Sequence, residues 1–272
     1  MTTPSSITTL TPSASERAAG AFDGEAVARA ARCVRTDGAL IIEDLVDVAR
    51  VAGARRAFLE RYAGYLDNRG REDALLVGER RIMVTVELEP PFDDPQLFAN
   101  PWLMPILSAA LDDDFVLGAF GVVCSLPGAP SQHRHRDGAS LFPGLGLDSI
   151  LPAAAITVAM PLLEMNDLNG TTAIWPGSHR DPNPSAPDPE LTPVVREGSA
   201  VLWDYRVMHG GTPNRSAVPR PLLYLVYCRP WFFDHRNFSR PGQKQPPLLA
   251  DRQSLVGLSE RHERLLMRAV PP

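Results

Sequence analysis

The segment SQHRHRDG sets His135, Arg136 and Asp137 in succession. In an extended chain residues two apart point to the same side, so the His135 imidazole and the Asp137 carboxylate can converge on one point. A third ligand type, His209, stands at the end of a later apolar run, in WDYRVMHGGTPN. Two imidazoles and one carboxylate on one face of a metal leave the opposite positions open, the ligand set of a mononuclear non-haem Fe(II) centre that handles O2. Arg220 follows His209 by eleven residues, at the head of the next apolar run. Were the two runs adjacent antiparallel strands, its guanidinium would lie near the metal and could grip a carboxylate through two parallel hydrogen bonds. His133 shares the side of His135 and competes with it as a ligand. The HxD spacing favours His135 and leaves His133 on the pocket wall.

These residues need strands to carry them. FVLGAFGVVCSL (115–126), AAITVAMPLLEM (154–165), SAVLWDYRVM (199–208) and PLLYLVYCRPWF (221–232) are short apolar or alternating runs, bounded by turn clusters such as LPGAP, NDLNG, WPGSH and GGTPN. Short strands at this spacing indicate an all-β sandwich or barrel. Upstream the chain reads as mainly helical with one or two strands. Apolar residues recur at helical spacing over 24–37 before Gly38, ALIIEDL reads as a buried strand, and helices are expected over 48–66 and around PWLMPILSAALDDD. Residues 1–22, rich in Ser, Thr, Pro and Ala, read as a flexible tail. Ser178 to Pro193, with five prolines, reads as a surface loop, as does 237–247, and LSERHERLLMRAV as a short terminal helix.

With the elements in place, three stretches in order, PGAPSQHRHRDG, NGTTAIWPGSHR and HGGTPNRSAVPRPLLYLVYCRPW, resemble the phytanoyl-CoA dioxygenase-like family of Fe(II)/2-oxoglutarate-dependent oxygenases over about Leu117 to Trp231. The resemblance implies a double-stranded β-helix (jelly-roll) core, about 115–235, supported by amino-terminal helices, about 23–114, in one domain. It implies Fe(II) held by His135, Asp137 and His209, and the distal carboxylate of 2-oxoglutarate held by Arg220. Gln132 and Thr172 match positions that touch the cosubstrate in relatives, with Thr171 as the alternative to Thr172. The implied reaction consumes O2 and 2-oxoglutarate, releases succinate and CO2, and hydroxylates or otherwise oxidises an unactivated C–H bond. Halogenating relatives are similar but carry Gly or Ala at the carboxylate position, so Asp137 points away from halogenation. Substrates implied are small molecules: a secondary-metabolite intermediate first, an amino acid or acyl thioester next.

Composition fits this frame. The chain has 272 residues, 44% hydrophobic and 22% charged, with 27 basic against 32 acidic residues and a net charge of −5. No basic excess points to nucleic acid or an anionic membrane. Lys244 is the only lysine, so an acyl-CoA would have to find its phosphate contacts among arginines. Cys33, Cys124 and Cys228 are far apart and without CxxC spacing, which reads as reduced thiols in a cytoplasmic protein. Residues 150–163 are too short to span a bilayer, and the amino terminus shows no basic segment before an apolar one. His179 reads as structural, His235 and His262 as exposed, and Arg215 and Arg229 as rival clamps off the expected spacing. Met83, Thr85, Phe142, Trp231, Phe232 and Phe233 are candidates for pocket walls or core. A catalytically silent ligand-binding jelly roll and a cupin-like isomerase or hydrolase with another metal remain open at this level.

Overall fold

The computed structural model describes residues 6–67, 75–138, 140–181, 190–234, 237, 248–250 and 259–269. Among the described residues are ten strands: Thr9–Leu10 (β1), Ala39–Ile42 (β2), Leu75–Leu76 (β3), Arg81–Thr85 (β4), Val116–Ser125 (β5), Ala155–Pro161 (β6), Thr172–Trp175 (β7), Ala200–Asp204 (β8), Met208–Gly211 (β9) and Arg220–Cys228 (β10). Eight of them form one sheet in the order β1-β2-β8-β6-β10-β5-β4-β3, and β7 pairs with β9 in a second. Every pairing is antiparallel except β1 with β2. This is the jelly-roll architecture, with the small sheet facing the large one.

Alternation along the strands assigns the two faces of the large sheet. On β10, Leu223, Leu225 and Tyr227 join the main core with Phe120, Val122, Val158 and Leu202, whereas Leu222, Tyr224 and Val226 face inward. The outward face is covered by helices Gly24–Thr36, Val48–Arg61 and Met104–Leu111, whose buried residues include Ala30, Val51, Phe58, Ile106 and Leu107. Each large apolar side chain so buried contributes roughly 1.5–3 kcal/mol, which makes this layer a rigid backing for the inner face.

Five expectations change. The amino-terminal segment is not a tail throughout: β1 lies parallel on β2, Leu10 is buried, and Ala14–Ala19 is helical. Ser13 and Glu16 form a reciprocal capping box, a pattern that the Ser/Thr/Pro-rich composition concealed. The helical half also holds three strands of the large sheet, β2, β3 and β4. The single helix expected over 48–66 breaks at Tyr62 into Val48–Arg61 and Ala63–Asp67. SAVLWDYRVM divides into β8 and the start of β9, because the chain turns at Tyr205–Val207 from the large sheet to the small one. The proline-rich loop begins buried, with Ser178 and His179 inside the protein; 182–189 lie outside the described residues, as does most of 237–247. The three cysteines are free, and no helix among the described residues is long and apolar enough to cross a membrane.

Candidate metal centre and anion site

The His135 segment is tied to β9 by a reciprocal pair of backbone hydrogen bonds: His135 N–H donates to His209 O at 2.9 Å and His209 N–H to His135 O at 2.8 Å. Directly opposed residues of such a pair put their side chains on one face, and the two imidazole centroids are 4.4 Å apart. Two residues on, Asp137 comes to the same face, its Oδ1 3.4 Å from His209 Nε2. One ligand atom from each of the three lies within 4.8 Å of the others. Each histidine has its Nδ1 next to a main-chain carbonyl, His133 O at 2.9 Å for His135 and Val207 O at 3.0 Å for His209. A donating Nδ1–H leaves Nε2 as a lone pair turned to the shared point. These residues fit a divalent metal: three converging donors on one side, a cavity on the other.

The carboxylate is held from behind. Its Oδ2 accepts from Thr157 Oγ1 at 2.8 Å and Trp203 Nε1 at 3.0 Å, and Thr157 and Trp203 are themselves a cross-strand pair of β6 and β8. Asn237 Nδ2 donates to Asp137 O at 2.9 Å, and Gly138 N–H to Tyr205 O at 2.9 Å. Oδ1 is thereby left for the metal. Replacing Thr157 with Val or Trp203 with Phe is expected to weaken Fe(II) binding by about 10- to 100-fold with the fold retained. Equilibrium titration checks this; affinity unchanged in both variants would show that Asp137 needs no such support.

The three residues shape one another's titration. Burial alone would push the Asp137 carboxyl up, but the charge and hydrogen bond of His209, with His135 and Thr157, outweigh it and hold it at about 2. Burial works against a charged His209 as well, yet the Asp137 charge prevails and raises its pKa above 6.5. His135 moves the other way, lowered by burial and by the neighbouring His209. A metal must displace the proton favoured on His209. Apparent Fe(II) affinity is therefore expected to rise with pH through the raised His209 value, with proton release on loading, and to fall below it. A pH-independent affinity between 6 and 8 would contradict this.

From the metal site a cavity of about 390 Å³ runs along the inner face of β10. At its far end stands Arg220, 2% exposed, whose Nη1 reaches the Met165 sulfur and whose Nε has no partner. Ser125 of β5 is the register partner of both Arg220 and Arg81 of β4. That row brings in Arg81, 1% exposed, whose Nη2 donates to Thr212 O at 2.8 Å while Nε and Nη1 have no partner. The Ser125 hydroxyl between them is also unpartnered. Burial and the proximity of Arg81 lower Arg220 to about 10, and burial lowers Arg81, so both stay cationic at neutral pH. Two buried guanidiniums with unused N–H groups, and with no carboxylate beside them among the described residues, fit an anion.

Arg81 was not among the residues singled out in the sequence. Its signal was there: Met83 and Thr85 stand as candidates for pocket wall or core on one strand, and Arg81 shares their face by alternation. Of the others, Gln132 lines the cavity but is held at both ends, Nε2 to Val77 O at 2.7 Å and Oε1 from Gly211 N–H at 3.0 Å. Thr172 lines the cavity, whereas the Thr171 hydroxyl is spent on Pro193 O. His133 stands at the mouth, its ring 5.2 Å from that of His135. His179 is buried with Nε2 3.1 Å from Arg35 O, away from the metal point. Arg229 pairs with Asp112 on another face and Arg215 sits in a turn, so neither rival clamp reaches the cavity. Met83 lines the cavity and Thr85 is buried beside it, whereas Phe142, Trp231 and Phe233 are exposed. His262 is half-buried against Phe98, and His235 lies outside the described residues.

The phytanoyl-CoA dioxygenase (PhyH) family model matches residues 34–222, a span that holds His135, Asp137, His209, Arg81 and Arg220. The chain belongs to the PhyH family. Among curated relatives, Dioxygenase trt7 of Aspergillus terreus is 33% identical over 122 residues, covering 43% of this chain and 42% of its own length. Dioxygenase ALT11 of Alternaria alternata is 29% identical over 147 residues, covering 52% and 44%. The chain thus spans less than half the length of these PhyH-like relatives. Among solved structures, the non-haem α-ketoglutarate-dependent epimerase SnoN from nogalamycin biosynthesis aligns with a TM-score of 0.56 at 21% identity, covering 83% of this chain and 91% of that one. EctD from S. alaskensis with bound Fe aligns with a TM-score of 0.55 at 20% identity, covering 76% and 79%. At these identities the alignments establish the PhyH chain's fold, the jelly roll.

Proposed function

We propose that the protein is an Fe(II)/2-oxoglutarate-dependent oxygenase that hydroxylates, or otherwise oxidises, an unactivated C–H bond of a small molecule, a secondary-metabolite intermediate, with release of succinate and CO2. The observation that carries this reading is the pairing of two features in one cavity. A His135–Asp137–His209 cluster stands at one point and the unsatisfied Arg81–Arg220 pair at the far end. Two buried guanidiniums with unused N–H groups, and no carboxylate beside them among the described residues, suit the distal carboxylate of a dicarboxylate cosubstrate. In this reading His135 Nε2, Asp137 Oδ1 and His209 Nε2 hold the iron, and Arg220 and Arg81 hold the distal carboxylate of 2-oxoglutarate, with Thr172 and Gln132 on the cavity wall between. Bound iron with 2-oxoglutarate and O2 supplies the oxidising chemistry. The chain's own part is to fix the cosubstrate at both ends, to keep Asp137 ionised, and to wall the reacting carbon away from water with Leu222, Met83 and Val226.

The relatives' names favour the small-molecule part: one neighbour acts in nogalamycin biosynthesis and another was solved with 2-oxoglutarate and 5-hydroxyectoine. The test is anaerobic titration of the protein with Fe(II) and then 2-oxoglutarate. The expected result is a weak visible metal-to-ligand charge-transfer band that appears only when both are present, followed by slow succinate release on admitting air. No band, with tight binding of Zn(II) or Ni(II) instead, would overturn the oxygenase reading in favour of a binding or hydrolytic role.

A further inference from the structure

We infer that Asp234 is a positioning residue of the metal site, one that sets the direction of Asp137 by holding the peptide group between Asp137 and Gly138. The inference rests on the reading that Asp137 holds the iron. That peptide is gripped at both ends. Its carbonyl, Asp137 O, accepts from Asn237 Nδ2 at 2.9 Å, and its amide, Gly138 N–H, donates to Tyr205 O at 2.9 Å. The two residues that grip it meet at one carboxylate. Asp234 Oδ2 accepts from the Tyr205 hydroxyl and from Asn237 Nδ2 at 2.8 Å, and Asp234 Oδ1 accepts from Asn237 N–H at 3.0 Å. The Asn237 side chain thus spends one N–H on Asp234 and the other on Asp137 O.

A peptide group is planar, so holding it fixes the backbone torsions on either side, ψ of Asp137 and φ of Gly138. A peptide free to turn would let the Asp137 Cα drift and carry the carboxylate with it. Thr157 and Trp203 act on the tip of that side chain, through Oδ2, whereas Asp234 acts on its root. The Tyr205 ring lies close against the same backbone: a Cβ at Gly138 would come 2.7 Å from Tyr205 Cδ1. Glycine is what admits the ring there.

The segment that carries Asp234 has its own anchors, so its place does not depend on the metal site. Phe232 meets the Tyr205 ring edge to face, with centroids 5.8 Å apart at 81°. Phe232 O accepts from Arg268 Nη1 at 2.7 Å, and Pro230 O accepts from Arg268 Nη2. Asn237 lines the metal cavity, so this anchored stretch forms part of its wall. Asp234 and Asn237 both lie beyond residue 222, where the family match ends. The grip on Asp137 is therefore supplied by the stretch after β10.

A carboxylate that only stabilised the fold would, on removal, lower the melting temperature and leave iron affinity alone. The experiment therefore measures Fe(II) affinity anaerobically, by equilibrium titration of the full chain, in Asp234→Ala, Asn237→Ala and the double variant. Partners that orient a metal ligand are worth about 10- to 100-fold in metal affinity, and Asp234 acts through Asn237 and Tyr205, so each single variant is expected at the lower end, about tenfold weaker. Both cut one line of contact, so the double variant should fall well short of the roughly hundredfold loss that independent effects would give. With iron saturating, the 2-oxoglutarate needed to half-fill the charge-transfer band should stay within about twofold, because Arg220 and Arg81 are untouched. Tyr205→Phe keeps the ring on Gly138 and removes one donor to Asp234, so it should lose less iron affinity than Asp234→Ala. Asp234→Asn, nearly the same in shape, carries the test with the same expected direction if the alanine variant does not fold. Unchanged Fe(II) affinity in a folded Asp234 variant, effects that multiply in the double variant, or an equal loss of 2-oxoglutarate affinity at saturating iron would each overturn the inference. The iron titration needs no cosubstrate, so a missing charge-transfer band in the unaltered protein would count against the oxygenase reading and leave this comparison to decide on Asp234.

Discussion

Replacing Asp137 with alanine is expected to abolish Fe(II)-dependent succinate formation, with Fe(II) affinity falling by more than about 100-fold. The loss of an outer partner to a ligand costs about 10- to 100-fold, and here the ligand itself goes. A second, separable effect falls on the apoprotein. Asp137 is the acceptor for Thr157 and Trp203 and the ion partner of His209. Removing it strands two buried donors, a cost of about 1–3 kcal/mol each at most. The sign with pH follows from the lowered carboxyl value. A carboxyl held at about 2 contributes stability that is present above its unfolded value near 3.8 and fades as pH falls towards 2. The alanine variant should therefore be less stable than the parent at neutral pH and approach it in acid. Asp137→Asn keeps an acceptor and the shape, so its apoprotein should melt closer to the parent while metal binding is still lost. Fe(II) titration and thermal melts at pH 7 and pH 3 separate the two effects. Succinate formation surviving in Asp137→Ala, without added formate or chloride to fill the vacant ligand position, would refute the ligand assignment.

Replacing Arg220 with methionine is expected to act in opposite directions on function and on the empty fold. The 2-oxoglutarate requirement should rise by the equivalent of about 2–5 kcal/mol, roughly 30-fold to a few thousand-fold, as when one partner of a buried charge pair is truncated. Requirements for iron and organic substrate should move far less. The apoprotein should melt higher than the parent. Arg220 is buried with only a thioether and an unused Nε–H, and Arg81 adds like-charge repulsion through the shared row at Ser125. An apolar side chain of similar length removes that burden. Thermal melts with and without 2-oxoglutarate, with no metal present, give the readout: the parent gains stability from the dicarboxylate and Arg220→Met gains little. A parent unaffected by 2-oxoglutarate, or a variant with an unchanged requirement, would move the anion site elsewhere in the protein.

What the amino-acid sequence determined by itself is local. Period-two alternation put His135 and Asp137 on one side of an extended segment, and apolar runs between Gly, Pro and Asn clusters marked β5, β6, β8 and β10 to within a few residues. A capping box at Ser13 and Glu16 was equally local, and was missed only because the surrounding composition drew the eye to a tail. The facial cluster itself was legible because its three members are of rare types in ordered motifs. The rest depended on register, which is set by which strands meet and not by any one strand's pattern. Arg81 lies more than fifty residues from His135, and nothing near it in the chain says that β4 will pair with β5 and bring it to Arg220 across Ser125. Trp203 and Thr157 hold Asp137 because β8 lies against β6 in a particular alignment. Tyr224 lines the cavity, and the Tyr227 hydroxyl donates to Phe98 O, because the two faces of one strand meet a cavity and a helical layer. Side-chain direction is a property of the strand, but what a side chain meets is a property of the packed sheet, and only the tertiary structure decided it.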